Sequence, residues 1–218
     1  MIGSPVRQVK DHLRGNCLIQ RPISPAPVEL ILASGSPYRR ALLSRLGLDF
    51  LTETPGVDEA PTPQLPAPER AQHLAFAKAA AVAGAHPHAT IIGSDQVALC
   101  KGEVLEKPGN AARCREQLHW ASAATASFYT AVSVQQPDRA RLLQFIDCTT
   151  VHFRTLSAAE IERYIAAERP WDCAGGFRCE GLGISLFTRI VTEDPTALIG
   201  LPLIGLSRVL RELGFELP

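Results

Sequence analysis

Short apolar runs and longer stretches with helical spacing alternate along this chain, separated by polar, proline- and glycine-rich turns. Val28-Glu29-Leu30-Ile31-Leu32-Ala33 has the length and content of a buried strand. After it, Ser36 is suited to cap a helix over about 38–46, with Pro37 in its first turn and Gly47 as its stop. An alanine-rich helix is predicted over 69–84. A second buried strand begins at Thr90-Ile91-Ile92-Gly93 and runs through Ser94-Asp95-Gln96 into Val97-Ala98-Leu99, where Lys101-Gly102 can turn a hairpin. Asn110 can cap a helix reaching about Trp120, and strands are predicted over 127–135 and 142–154. Ser157-Ala158-Ala159-Glu160 fits a capping box opening a helix to about Glu168. The glycine-rich passage 174–181 leads into an apolar stretch over 183–190 that predicts a strand, and Pro202 starts a last helix ending near Gly214. Strands and helices alternate, but the hairpins predict a mixed sheet: an α/β fold. Residues 1–27 carry six glycines and prolines and no sustained apolar period, which predicts a loosely ordered extension before a domain over 28–218.

Three local features carry candidate chemistry. In Ser34-Gly35-Ser36-Pro37-Tyr38-Arg39-Arg40 a strand ends in a small-residue turn and a helix opens with two arginines. The free N–H groups and positive dipole end of a helix N-terminus favour an anion. Two cations there oppose the dipole, which points to a bound phosphate; a plain capped helix with solvated arginines is the other reading. Asp95, at the tip of an apolar run, is placed to activate water or bind a metal, or equally to bond its own turn. Asp58-Glu59 adds two loop carboxylates, and hard oxygen ligands of this kind suit Mg²⁺ shared with substrate phosphates. Lys78 and Lys107, taken singly, read as surface lysines. The six histidines form no metal-ligand set.

Composition narrows the classes. The 218 residues are 46% hydrophobic and 20% charged, with 22 basic and 22 acidic side chains, an ordinary globular balance that argues against a general nucleic-acid binder. No run approaches the roughly 20 apolar residues of a membrane span, and the stretch before Val28 has no signal-like apolar region, so a cytoplasmic protein is expected. The six cysteines lack a C-x-x-C pair and are expected to be buried free thiols.

Taken together, these segments resemble the Maf family of nucleotide pyrophosphatases. Leu30–Arg40, Val57-Asp58-Glu59, Ala77-Lys78-Ala79 and Ile92-Gly93-Ser94-Asp95-Gln96-Val97 carry the first half of the likeness. Glu106-Lys107-Pro108, Cys173-Ala174-Gly175-Gly176-Phe177, Glu180-Gly181 and Gly200-Leu201-Pro202-Leu203 complete it in the family's order. The resemblance implies an elongated, twisted mixed sheet flanked by helices, in two lobes with a cleft between them (Maf/ITPase-like). It implies cleavage of a nucleoside triphosphate to a monophosphate and pyrophosphate, with Asp95 as the general base. Ser34, Ser36, Arg39, Arg40, Lys78 and Lys107 match positions that embrace the triphosphate. Glu59 and Asp95 match positions that hold a divalent cation, Mg²⁺ or Mn²⁺. Tyr38, Gln96 and Glu180 resemble the branch acting on 7-methyl-GTP more than that acting on dTTP and UTP, although that branch usually has tryptophan where this chain has Tyr38. A homodimer is implied too, and a nucleotide-binding regulator of cell division is the rival reading.

Overall fold

A computed structural model describes residues 29–58 and 65–218, so the expected N-terminal extension and Glu59 lie outside the described residues. Seven strands form one mixed sheet in the order β2-β1-β3-β5-β6-β7, with β4 paired to β3 outside that path. The strands are β1 Leu30–Ala33, β2 Leu51–Glu53, β3 Thr90–Cys100, β4 Glu103–Leu105, β5 Thr125–Gln136, β6 Arg141–Phe153 and β7 Phe187–Val191. β1 runs parallel to β2 and β3; all other pairs are antiparallel. The helices are α1 Pro37–Ser44, α2 Ala67–Ala83, α3 Ala111–Ala121, α4 Ala158–Glu168 and α5 Leu203–Glu212.

Local sequence signals account for most of the boundaries. Ser36 caps α1 by accepting from Arg39 N, Asn110 caps α3 by accepting from Arg113 N, and Ser157 with Glu160 forms the full capping box of α4. Lys101 and Gly102, with φ of 50° and 83°, make the tight β3–β4 hairpin.

The long strands cross two hydrophobic cores. One, around α1 and α5, takes Leu30, Leu32, Ile92, Val132, Val134, Leu206 and Leu210. The other, around α3 and α4, takes Ala98, Cys100, Leu118, Phe128, Val151, Phe153 and Ile161. β3 and β5 supply residues to both, so the two lobes share continuous strands. Along one edge of β3, β1 pairs with residues 90–93 and β4 with residues 98–100. Residues 94–97 therefore face a gap between two neighbouring strands, and the cleft opens there.

Three expectations need correction. Asp95 is at the middle of β3, not at the tip of a strand: its partner Ala131 continues the β5 ladder on either side. The strand expected over 183–190 begins only at Phe187, and residues 182–186 form a 3₁₀ turn. Gly183 N bonds back to the Arg178 carbonyl, and any Cβ at Gly183 would lie 2.3 Å from that oxygen, so the chain doubles back there. The cysteines are free among the described residues, but Cys148 is exposed, and Cys173 and Cys179 are only half-buried. No helix among the described residues is long and apolar enough to cross a membrane.

Candidate active site

Gly93 decides the centre of the site. A Cβ there would lie 2.2 Å from the Ala75 carbonyl oxygen and 2.7 Å from Ala79 N, so only glycine lets α2 approach β3 this closely. Small residues on the helix (Ala71, Ala75) and the facing Val97 and Ala131 complete the contact. Lys78, between Ala75 and Ala79 on that helix, meets Asp95, two residues beyond Gly93 on the same face of β3. Lys78 Nζ donates to Asp95 Oδ1 at 2.6 Å, and both side chains are under 10% exposed. Removing either partner of such a buried pair leaves the other uncompensated.

The alternate residues of β3 serve the other face. Ser94 Oγ donates to the Gly200 carbonyl at 3.0 Å, and Gln96 Nε2 donates to the Ala197 and Leu198 carbonyls at 3.0 and 3.2 Å. Thr130 Oγ also donates to the Ala197 carbonyl. These bonds pin the segment ahead of α5, and its Gly200 carbonyl accepts in turn from Arg39 Nε at 2.9 Å. Arg39 is thereby fixed relative to β3 although α1 carries it.

Ser34, Ser36, Tyr38, Arg39, Lys78, Asp95, Gln96, Lys107 and Glu180 all line one cleft of about 610 Å³. Ser34 Oγ accepts from Ser36 N, which tightens the turn at the end of β1. Arg40 does not join them: it follows Arg39 by one helical step of about 100°, is exposed, and lines a separate depression with Glu53 and His86. Gln96 lines the cleft, but its amide N–H groups are directed at the 197–198 carbonyls and Thr130, so it acts on the segment that holds Arg39.

The opposite wall is the irregular segment 172–180. Phe177 anchors it by edge-on contacts with Phe128, Phe153 and Phe187, ring centroids 4.8–5.8 Å apart. Gly175 and Gly176 turn through φ of 76° and 68°, and a Cβ on Gly176 would lie 2.9 Å from Cys114 Sγ. Arg178 stands over the Tyr38 ring, its guanidinium 5.3 Å from the centroid, and donates to Tyr38 Oη at 2.7 Å and to Glu168 at 3.1 Å. Tyr38 Oη also bonds Asp172. Burial first, then the neighbouring Cys173 and Asp172, push the Tyr38 hydroxyl well above its ordinary pKa, so it stays protonated. Burial and the Glu180 carboxylate push the Cys179 thiol up to about 12, which leaves it unreactive.

Sequence reasoning missed Asp172, Arg178, Arg70 and Glu106, all of which line the cleft. Arg70, Leu74 and Lys78 fall four residues apart on one face of α2, a spacing that was available in the sequence. Arg178 had no such signal, because its position depends on the fold of an irregular segment.

No group of three or more His, Cys, Asp or Glu residues that could hold a metal occurs among the described residues. The donor present, one buried carboxylate facing the cleft, fits a hard cation that takes its other ligands from phosphates and water, in the manner of Mg²⁺. It does not fit a closed structural site.

A 7-methyl-GTP pyrophosphatase of Xanthomonas axonopodis pv. citri (strain 306) is 54% identical over 189 residues, 87% of this chain and 98% of that protein. One from Pseudomonas aeruginosa (strain PAO1) is 46% identical over 190 residues, 87% and 99% of the two chains. A HAM1 protein from Coxiella burnetii, 16% identical, superposes with a TM-score of 0.52 over 85% of this chain and 99% of its own, a likeness of fold alone. The family model described as Maf-like protein matches residues 29–213, and with relatives this similar over nearly their whole length the chain belongs to the Maf family.

Proposed function

We propose that this protein hydrolyses 7-methyl-GTP to 7-methyl-GMP and pyrophosphate. The observation that carries this reading is the buried Lys78–Asp95 pair in a cleft that also holds the Ser34–Ser36 turn, Arg39 and Lys107. A carboxylate among cations is what attack of water on a polyanion requires. Asp95 orients a water and takes its proton as oxygen attacks the α-phosphorus, and pyrophosphate departs in line. Lys78 keeps Asp95 aimed, and offsets its repulsion of the phosphates. Backbone N–H groups at the start of α1, with Arg39 and Lys107, hold the phosphate oxygens. Asp95, and by family likeness Glu59, would hold Mg²⁺ or Mn²⁺, which when bound neutralises charge on the leaving pyrophosphate.

The other end of the cleft suits a cationic base. Asp172 and Glu180 supply two carboxylates, and Tyr38 an aromatic ring whose face Arg178 partly covers. The names of relatives at 46–54% identity support the same substrate. Family resemblance further supports a cytoplasmic homodimer. In a panel of 7-methyl-GTP, GTP, dTTP and UTP with Mg²⁺ or Mn²⁺, 7-methyl-GTP is expected to be cleaved fastest, with pyrophosphate released. Faster turnover of dTTP or UTP would assign the other substrate branch, orthophosphate release would reject pyrophosphatase chemistry, and nucleotide binding without turnover would leave a regulator.

A further inference from the structure

Arg70 is an expensive residue in its place. It occupies the first turn of α2, where a cation opposes the helix dipole, and its side chain is only 10% exposed. Its one hydrogen bond to a described group runs from NH2 to Glu106 Oε1 at 3.2 Å, and its Nε is buried with no partner. Glu106 is 63% exposed, so the pair is lopsided: a buried cation leaning on a solvated carboxylate. A leucine or methionine would fill the same space beside the alanine face of α2 without an unpaired charged donor. Structure alone therefore gives poor reason for an arginine here.

The cleft gives a better one. Arg70 lies on the same helix face as Lys78, and both line the cavity together with Lys107, the chain neighbour of Glu106. A guanidinium matches phosphate oxygens with paired N–H donors in a way an ammonium does not. We propose that Arg70 is a further substrate-binding residue that takes a phosphate oxygen of the nucleotide, and that Glu106 tethers it until the substrate arrives. This rests on the pyrophosphatase reading, but its test does not need turnover. Glu106 competes with the incoming phosphate for the same guanidinium, so the two residues have opposite effects on affinity. Arg70 acts by attraction; Glu106 acts by occupying its donors and by repelling the anion.

The experiment is calorimetric titration of the full chain with inorganic pyrophosphate and, separately, with 7-methyl-GMP, both with Mg²⁺ present. Arg70→Met is expected to weaken one of the two ligands about tenfold, the loss of one charge-assisted contact. The ligand affected locates the contact at the departing phosphates or at the α-phosphate. Glu106→Gln is expected to tighten the same ligand several-fold. A purely structural ion pair predicts instead that both variants melt earlier and bind like the parent. Unchanged affinity in a folded Arg70→Met, or weaker binding in Glu106→Gln, overturns the proposal. Should Arg70→Met fail to fold, Arg70→Lys replaces it, with a smaller loss at the same ligand expected and unchanged affinity overturning the proposal. If no triphosphate is hydrolysed and the affinities still shift in opposite directions, the pyrophosphatase reading fails while the role of Arg70 stands.

Discussion

The two walls of the cleft are built in different ways. The wall that carries Asp95, Lys78 and Arg39 consists of regular elements, a long central strand and two helices, locked by backbone ladders and by one glycine contact. The wall that carries Asp172, Arg178 and Glu180 has no ladder. It is an irregular segment held by one aromatic anchor, two left-handed glycines and the ion pair of Arg178 with Glu168. In the proposed reaction, bond-breaking, which tolerates little positional error, falls to groups held where the backbone is over-determined. Recognition of a base can be retuned by changing side chains on a loop without disturbing the strand beneath.

That contrast can be broken from either side. Asp95→Asn should lower kcat by about 10²- to 10⁴-fold, the usual value of a general base, while calorimetry still shows nucleotide binding. Near-normal kinetics would take Asp95 out of the reaction. Phe177→Ala should cost about 3–5 kcal/mol of stability and loosen the irregular wall, read as a lower melting temperature with KM raised more than kcat is lowered. Gly93→Ala should do the reverse. It forces α2 off β3 at about 1–3 kcal/mol for overpacking, and because it parts Lys78 from Asp95, kcat should fall more than KM rises. Should both variants change kcat and KM in the same proportion, the division between walls would not hold. The smallest effect is expected at Arg178→Met. Baring the Tyr38 ring face should favour 7-methyl-GTP over GTP by about fivefold, near 1 kcal/mol for a cation–π contact, read as a ratio of kcat/KM. No change in that ratio would separate Arg178 from base selection.

The difference between the walls also explains how much the sequence revealed. Caps and turns act over three or four residues, so Ser36, Asn110, Ser157 and the Lys101-Gly102 hairpin were legible. β2 was not: Leu51-Thr52-Glu53 is short and half exposed, and only its pairing with β1 makes it a strand. Family likeness picked out Ser34, Ser36, Arg39, Lys78 and Lys107, which line one cleft, together with Arg40, which lines another, because neighbouring arginines look alike in sequence but diverge around a helix. That Lys78 touches Asp95 was not legible from spacing, because it depends on how closely α2 packs on Gly93. The irregular wall was the least legible. Glu180 came from likeness, and the stacking of Arg178 on Tyr38 joins residues with no periodic relation.

β3 and β5 pass unbroken from one lobe to the other, so no loop interrupts these two strands between the cores. A shift of one lobe against the other would reach the mid-strand carboxylate through those strands, so a ligand touching both lobes would also bear on Asp95.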